Sequence, residues 1–257
     1  MIRALAALLL LAVAACEAPE QATSPFAPKT TPAAAHCAER SFEGTRFTVC
    51  RFDARAQSIE LVVSGRNGPL RSFAALEEHL GGRTDQLLFA MNAGMYDEEG
   101  RPIGLYVEDG EERRPLNLRP GPGNFHLRPN GVFAVDGEGR VSVTRSDRFR
   151  ARVRSPRWAT QSGPMLVVDG ALHPEFDANG QSQLVRNGVG VSDANTAWFA
   201  ISEEGVSFGR FARLFRDALG CRNALFLDGS VSSLWDPGAG RRDAYSGLGP
   251  MILAFRR

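Results

Sequence analysis

The chain has 257 residues, with 30 Lys and Arg against 29 Asp and Glu, a formal net charge of +1. That balance offers no basic field for nucleic acid or for a broad anionic membrane surface. Its length suits one domain with a sizeable core once the N-terminal segment is set aside.

The first residues, MIRALAALLLLAVAAC, combine Arg3 with an apolar run from Ala4 to Ala12 that is too short to span a bilayer as an ordinary helix. They end in Val13-Ala14-Ala15-Cys16, which resembles the lipobox of bacterial lipoproteins. Residues 1–15 are therefore expected to be an export signal and Cys16 the acylated N-terminus; a plain secretory signal with an incidental Cys16 is the alternative. Glu17 after the cysteine differs from the aspartate of an inner-membrane retention signal, which favours an outer-membrane lipoprotein facing the periplasm. Residues 16–35 are dense in Pro, Ala and Thr and read as a flexible tether. The folded domain is expected over 36–257. Lys29, the only lysine, lies in the tether, so every Lys or Arg cation of the domain is an arginine.

The domain opens with CAERSFEGTRFTVC, a hairpin turning at Glu43-Gly44. With Phe42 opposite Thr45, Cys37 falls opposite Cys50, which is bridging geometry for a disulfide in an exported chain. Cys221 is left as a buried thiol. Further strands are expected at 58–64, 86–91, 104–108, 165–168, 189–191, 196–202, 224–227 and 251–255, with a hairpin joining 132–135 to 141–144. Ser72 caps a short helix carrying Phe73, Leu76 and Leu80, stopped by Gly81-Gly82. The longest helix spans 208–219: Phe208, Phe211, Ala212, Phe215 and Leu219 share one face, Ser207 caps it and Gly220 ends it. Many strands and two helices predict a single mixed α+β domain.

Several loop segments carry more polar residues and glycine than turns require. Asp228 follows the apolar strand Ala224-Leu225-Phe226-Leu227, beside Gly229, Ser230, Ser232 and Ser233. An aspartate there either closes an Asx-turn on its own backbone or serves as a functional carboxylate. Arg186 and Asn187 precede Gly188 and Gly190, where an open guanidinium would offer a planar anion grip; a surface arginine in a glycine turn is the alternative. Asn92, Gln161, Ser162 and the loop bearing Asn124, His126 and Asn130 are similarly ambiguous. His36, His79 and His173 have no partner pattern. No GxSxG elbow, P-loop or HExxH motif is present.

Taken together, MNAGMY, PNGVFAVD, TQSGPMLVVDG, VRNGVGVSD and NALFLDGSVSSLW resemble, in order, the phosphodiester glycosidase domain, the family of the lysosomal "uncovering enzyme". The likeness is strongest to its compact bacterial branch of exported proteins and extends over residues 37–257. It implies hydrolysis of a sugar-1-phosphodiester at the anomeric bond. It also implies a cleft lined by Asn92-Ala93-Gly94, Ser162-Gly163-Pro164, Arg186 to Gly190 and Asp228 to Ser233. On that basis Asp228 is expected as base or nucleophile and Arg186 as the phosphate's cation. Asn92, Gly94, Ser162, Gly163, Asn187, Gly229, Ser230, Ser232 and Ser233 are expected to bind the substrate. Asp97, Glu98 and Asp193 are candidate second carboxylates, or solvated loop charges. The chain departs from the general NGGFF and LDGGGSS forms, and the side chains of Ala93, Ser230 and Val231 are expected to narrow the cleft or change its donors. No cofactor is required, although Asp228 with loop oxygens is a conceivable divalent-cation site. The expected partner is a phosphosugar or phosphate-linked glycan, with membrane contact only through the lipid. The competing reading is a non-catalytic envelope module that binds phosphosugar polymers.

Overall fold

Glu43 and Gly44 both adopt positive φ, 47° and 77°, which turns Cys37–Phe42 tightly back along Thr45–Asp53. Phe42 pairs with Thr45 and Cys37 with Cys50 in that register, and the two cysteines form a disulfide. These features come from a computed structural model that describes residues 36–244 and 247–257. The expected export signal, Cys16 and the tether lie outside the described residues.

Three main sheets build the domain. The first has seven strands, in spatial order Cys37–Phe42, Thr45–Asp53, Thr196–Ser202, Asn187–Asp193, Asn223–Phe226, Met165–Val168 and Ala171–Leu172. The second places Val141–Arg145, Gly131–Asp136, Pro156–Ser162, Tyr106–Glu108 and Glu111–Arg114 side by side. The third is ordered Arg241–Arg242, Leu234–Asp236, Leu87–Asn92, Met251–Arg256 and Gln57–Val62.

One apolar cluster takes side chains from all three sheets, among them Phe199, Val189 and Leu225 from the first, Phe133 and Trp158 from the second, and Phe89, Met91 and Ile252 from the third. The sheets therefore share one core, and each carries a helix on its other face. Phe73–Leu80 lays Phe73, Leu76 and Leu80 on the third sheet, and Phe149 of the Phe149–Arg152 turn packs on the second. Phe208–Arg213 packs Phe211 and Ala212 on the first, with Phe215 alongside. Strands buried on both faces lose the alternation of a half-exposed sheet, and all six residues of Leu87–Asn92 are buried.

Phe208–Arg213 departs from the single helix expected over 208–219. It opens into a π-helical turn over Leu214–Ala218, where Leu219 N–H reaches Leu214 C=O, before Gly220 closes the end at φ 64°. Phe215 and Leu219 stay on the buried face through the wider turn. Residues 159–162, expected in a polar loop-like segment, instead complete the central strand Pro156–Ser162. Its Gln161 is buried yet satisfied: Oε1 accepts from the Leu105 and Asn117 amides, and Nε2 donates to Asn117 C=O and Ser146 Oγ. Burial of Gln161 on this strand is tolerable because its donors and acceptor are met.

Candidate active site

The polar motifs converge where strands of the three sheets end. Leu87–Asn92 delivers Asn92, Pro156–Ser162 delivers Ser162, Asn187–Asp193 begins with Asn187, and Asn223–Phe226 runs on to Asp228. Asp228 N–H donates to Ala93 C=O at 3.2 Å, and on the other side of the same segment Gly94 N–H donates to Thr160 Oγ1 at 3.2 Å. Gly94 must be a glycine here, since a Cβ would collide with Gln161 C=O and Thr160 Oγ1. Met165 pairs with Leu225, and Phe226 N–H reaches Pro164 C=O at 3.0 Å.

Beneath Asp228 lies a closed asparagine network. Asn92 Oδ1 accepts from Ser233 N–H at 2.9 Å and Asn187 Nδ2 at 2.8 Å, while Asn92 Nδ2 donates to Asp228 C=O at 2.8 Å. Ser232 Oγ lies 3.4 Å from Asn187 Oδ1, and Ser233 Oγ donates to Val231 C=O at 2.7 Å. Asn92, Asn187 and Ser233 are all 0 % exposed. This corrects the expectation that their side chains meet substrate. Their donors and acceptors are consumed in fixing the Asp228–Ser233 turn, so they act one layer below it. Ala93 is likewise sealed in the shared core and does not narrow the cleft. Val231 packs against the apolar cluster between the third sheet and its helix, and Ser230 is exposed.

Arg186 requires a second correction. Successive side chains of a strand point to opposite faces, and with Asn187 directed at Asn92, Arg186 points to the helix-covered face of the sheet. Its guanidinium lies 3.6 Å from the Phe208 ring centroid and 5.6 Å from that of Phe226. Nε donates to Val206 C=O at 2.8 Å, and Nη2 donates to Ser182 C=O at 3.1 Å and to Ser182 Oγ at 3.0 Å. Only 1 % of the residue is exposed, and desolvation pushes its pKa down to about 10. The side chain tethers the 182–186 segment, and an open phosphate grip is not available to it.

What remains open is Asp228. It closes the Asx-turn considered from the sequence, with Oδ1 accepting from Ser230 N–H at 3.1 Å. Burial raises its pKa above the ordinary aspartate value, the Ser230 N–H opposes that rise, and among the described residues the carboxylate has no ion pair. Ser162 Oγ is fully buried with no hydrogen-bond partner. Tyr96 was missed by sequence reasoning, although it lies only two residues beyond Gly94 of the Asn92-Ala93-Gly94 turn. Its hydroxyl donates to Gly247 C=O at 2.6 Å, and burial together with the nearby Asp228 charge raises its pKa. At the rim, Leu184 and Val185 are 58 % and 40 % exposed, and Val185 C=O lies 3.4 Å from Ser232 Oγ.

The other candidates fall away from this cluster. Asp97 is bound by Arg101, Glu98 is exposed, and Asp193 accepts from Asn195 N–H in a hairpin turn. Cys221 is buried, with its thiol pushed up to about 12, so it is a poor nucleophile. His126 Nδ1 lies 3.0 Å from Arg119 C=O, and His173 is stacked on Phe176. Among the described residues, no three His, Cys, Asp or Glu side chains gather as a metal-holding group.

Comparison with known proteins adds a family to this geometry. The sequence model described as phosphodiester glycosidase matches residues 85–243, from just before the Leu87–Asn92 strand to beyond the Asp228 turn. An uncharacterised Escherichia coli (strain K12) protein, YigE, is 40 % identical over 153 residues, which is 60 % of this chain and 59 % of that protein. The catalytic domain of zebrafish N-acetylglucosamine-1-phosphodiester alpha-N-acetylglucosaminidase, auto-inhibited by its pro-peptide, superposes with a TM-score of 0.57 at 13 % identity, covering 86 % of this chain and 81 % of that one. A hypothetical protein from Synechocystis gives a TM-score of 0.52 at 16 % identity, over 86 % of this chain and 61 % of that one. At these identities the two solved structures establish a shared fold.

Proposed function

The chain belongs to the phosphodiester glycosidase family, and from that membership we propose that it hydrolyses a sugar-1-phosphodiester at the anomeric bond. Water oxygen bonds to the anomeric carbon, the bond from that carbon to the phosphate oxygen breaks, and a phosphate monoester leaves. Phosphate departs readily, so the protein's main tasks are to activate water or stabilise the oxocarbenium-like centre, and to hold the growing phosphate charge.

Asp228 is the observation that carries this reading. It is a partly buried carboxylate without a cation, with one oxygen fixed by the Ser230 amide and its backbone braced by Asn92 and Ala93. Such a group can take a proton from water or attack the anomeric carbon, and its raised pKa makes it a stronger base than an exposed aspartate. Ser162 Oγ has no protein partner, but at 0 % exposure it is sealed away and is assigned no contact with substrate. Gly229 and Ser230 are proposed to face the substrate beside Asp228, and Ser233, Asn92 and Asn187 hold the turn. The reaction as written uses no metal or other cofactor.

The lipobox-like leader supports a lipoprotein anchored through Cys16, probed by loss of palmitate labelling in Cys16→Ser. The Pro/Ala-rich tether would let the domain stand off the outer membrane within the periplasm, where a phosphate-linked glycan of the envelope is the reachable substrate. Purified protein mixed with an N-acetylglucosamine-1-phosphodiester is expected to release free sugar, and Asp228→Asn to lower kcat by at least about 100-fold. A folded Asp228→Asn protein with the parent rate would refute the assignment. Binding without release by the parent protein would mark a recognition module instead.

A further inference from the structure

With Arg186 sealed beneath the sheet, the cleft needs another source of positive charge for a phosphodiester. We propose that Arg71 is the residue that holds the substrate's phosphate, an inference resting on the reading of the Asp228 cleft as a sugar-phosphodiester site.

Arg71 precedes Ser72, the cap of the Phe73–Leu80 helix, at φ 55°, a left-handed conformation that is uncommon for a long side chain. Its carbonyl accepts from both Gly247 N–H and Leu248 N–H at 2.9 Å, which fixes it against the segment leading into the last strand. The guanidinium lies over the Tyr96 ring, 5.7 Å from its centroid. Gly100 leaves room for it, since a Cβ there would collide with Nη1.

No carboxylate neutralises Arg71 among the described residues, and its buried Nη1 has no hydrogen-bond partner. Nearby arginines are committed elsewhere. Arg101 and Arg114 both reach Asp97, the residue after Tyr96, and Arg242 is paired with Glu77. With Nη1 packed against Gly100, the rest of a fixed, half-buried guanidinium that has no counter-charge is costly unless an anion arrives beside it. Arg is also the side chain whose planar fork best matches a phosphate.

The position suits the chemistry. Phosphorus is two bonds from the anomeric carbon, so its cation belongs about one side chain away from the carboxylate that works on that carbon. A cation touching Asp228 would instead quench its basicity. Tyr96 links the two: its ring stands under Arg71 and its hydroxyl donates to Gly247 C=O, while three residues before it Ala93 C=O takes the Asp228 N–H and Ala93 N–H reaches Pro250 C=O. Tyr96 thus acts as a positioning residue, holding the guanidinium level with the leaving phosphate.

The test measures inorganic phosphate binding by calorimetry, together with kcat and KM on an N-acetylglucosamine-1-phosphodiester. Arg71→Gln is expected to weaken phosphate binding by about 10- to 100-fold, the range for losing a charge-assisted contact. It should raise KM more than it lowers kcat, and Arg71→Lys should recover part of the affinity. Tyr96→Phe keeps the ring under Arg71 while removing the bond to Gly247, and should retain most phosphate affinity. Phosphate binding by Arg71→Gln equal to the parent's, or an equal loss in Tyr96→Phe, overturns the proposal. If the parent protein binds phosphate through Arg71 yet releases no sugar, the hydrolytic reading fails while the phosphate assignment stands.

Discussion

Replacing Asn92 by alanine deletes three side-chain hydrogen bonds at a position with no access to water. Ser233 N–H loses its Oδ1 acceptor at 2.9 Å, Asp228 C=O loses its Nδ2 donor at 2.8 Å, and Asn187 Nδ2 loses a 2.8 Å bond to Oδ1. Asn187 keeps a second acceptor, the Asn92 carbonyl at 3.2 Å, so the greatest cost falls on the other two groups. A buried polar group stripped of its partner costs about 1–3 kcal/mol, and water entering the small void recovers part of that. The expected loss is therefore about 3–4 kcal/mol, a large share of the roughly 5–15 kcal/mol that holds a domain together. Urea unfolding should show the midpoint fall with the slope unchanged. Because the same bonds brace the Asp228 turn, sugar release should also fall, chiefly through kcat. A stability loss below about 1 kcal/mol would refute the view of Asn92 as the closed bracket under the turn.

Three further outcomes follow from the same structure. Asp228 has a raised pKa when folded, so the folded protein binds more protons than the unfolded chain between the ordinary and the raised value. Stability contributed by this group therefore falls as pH rises through that window. Asp228→Asn should melt higher than the parent near neutral pH, with the gain shrinking as pH drops toward the ordinary aspartate pKa; a lower melting point at neutral pH would contradict the burial argument. Gly190→Val should destabilise by about 1–3 kcal/mol, because even a Cβ there would press on Phe215 Cδ1 at 2.5 Å and Cys221 Sγ at 2.6 Å. Parental stability would mean the helix–sheet contact is looser than described. Removing the Cys37–Cys50 bridge by a double serine substitution should cost about 3 kcal/mol, given a sequence separation of 13, and thermal melting with and without reductant checks it.

Much of this protein follows from sequence because the physics involved is local. Hairpin pairing is counted from its turn, so Glu43-Gly44 sets Cys37 against Cys50 before any fold is known. A cap, an apolar face and a closing glycine mark the helical segment from Phe208, and the order of the glycine- and serine-rich motifs marks the family. Asp228 is legible too, as a carboxylate at the end of an apolar strand. The strand through residues 159–162 was hidden because Thr160, Gln161 and Ser162 look like a loop until Asn117, Ser146 and Leu105, all remote in sequence, satisfy Gln161. Alternation along a strand says that Arg186 and Asn187 point to opposite faces. Only the packing of the sheets decides which face meets the cleft, and it sends Arg186 under Phe208 and Asn187 to Asn92. The closeness of Tyr96 to Asp228 and Arg71 is likewise tertiary, since no spacing rule connects positions brought together from distant elements of the chain. Local geometry determined the elements and where Asp228 falls in the chain, while long-range burial determined which polar neighbours are sealed beneath it.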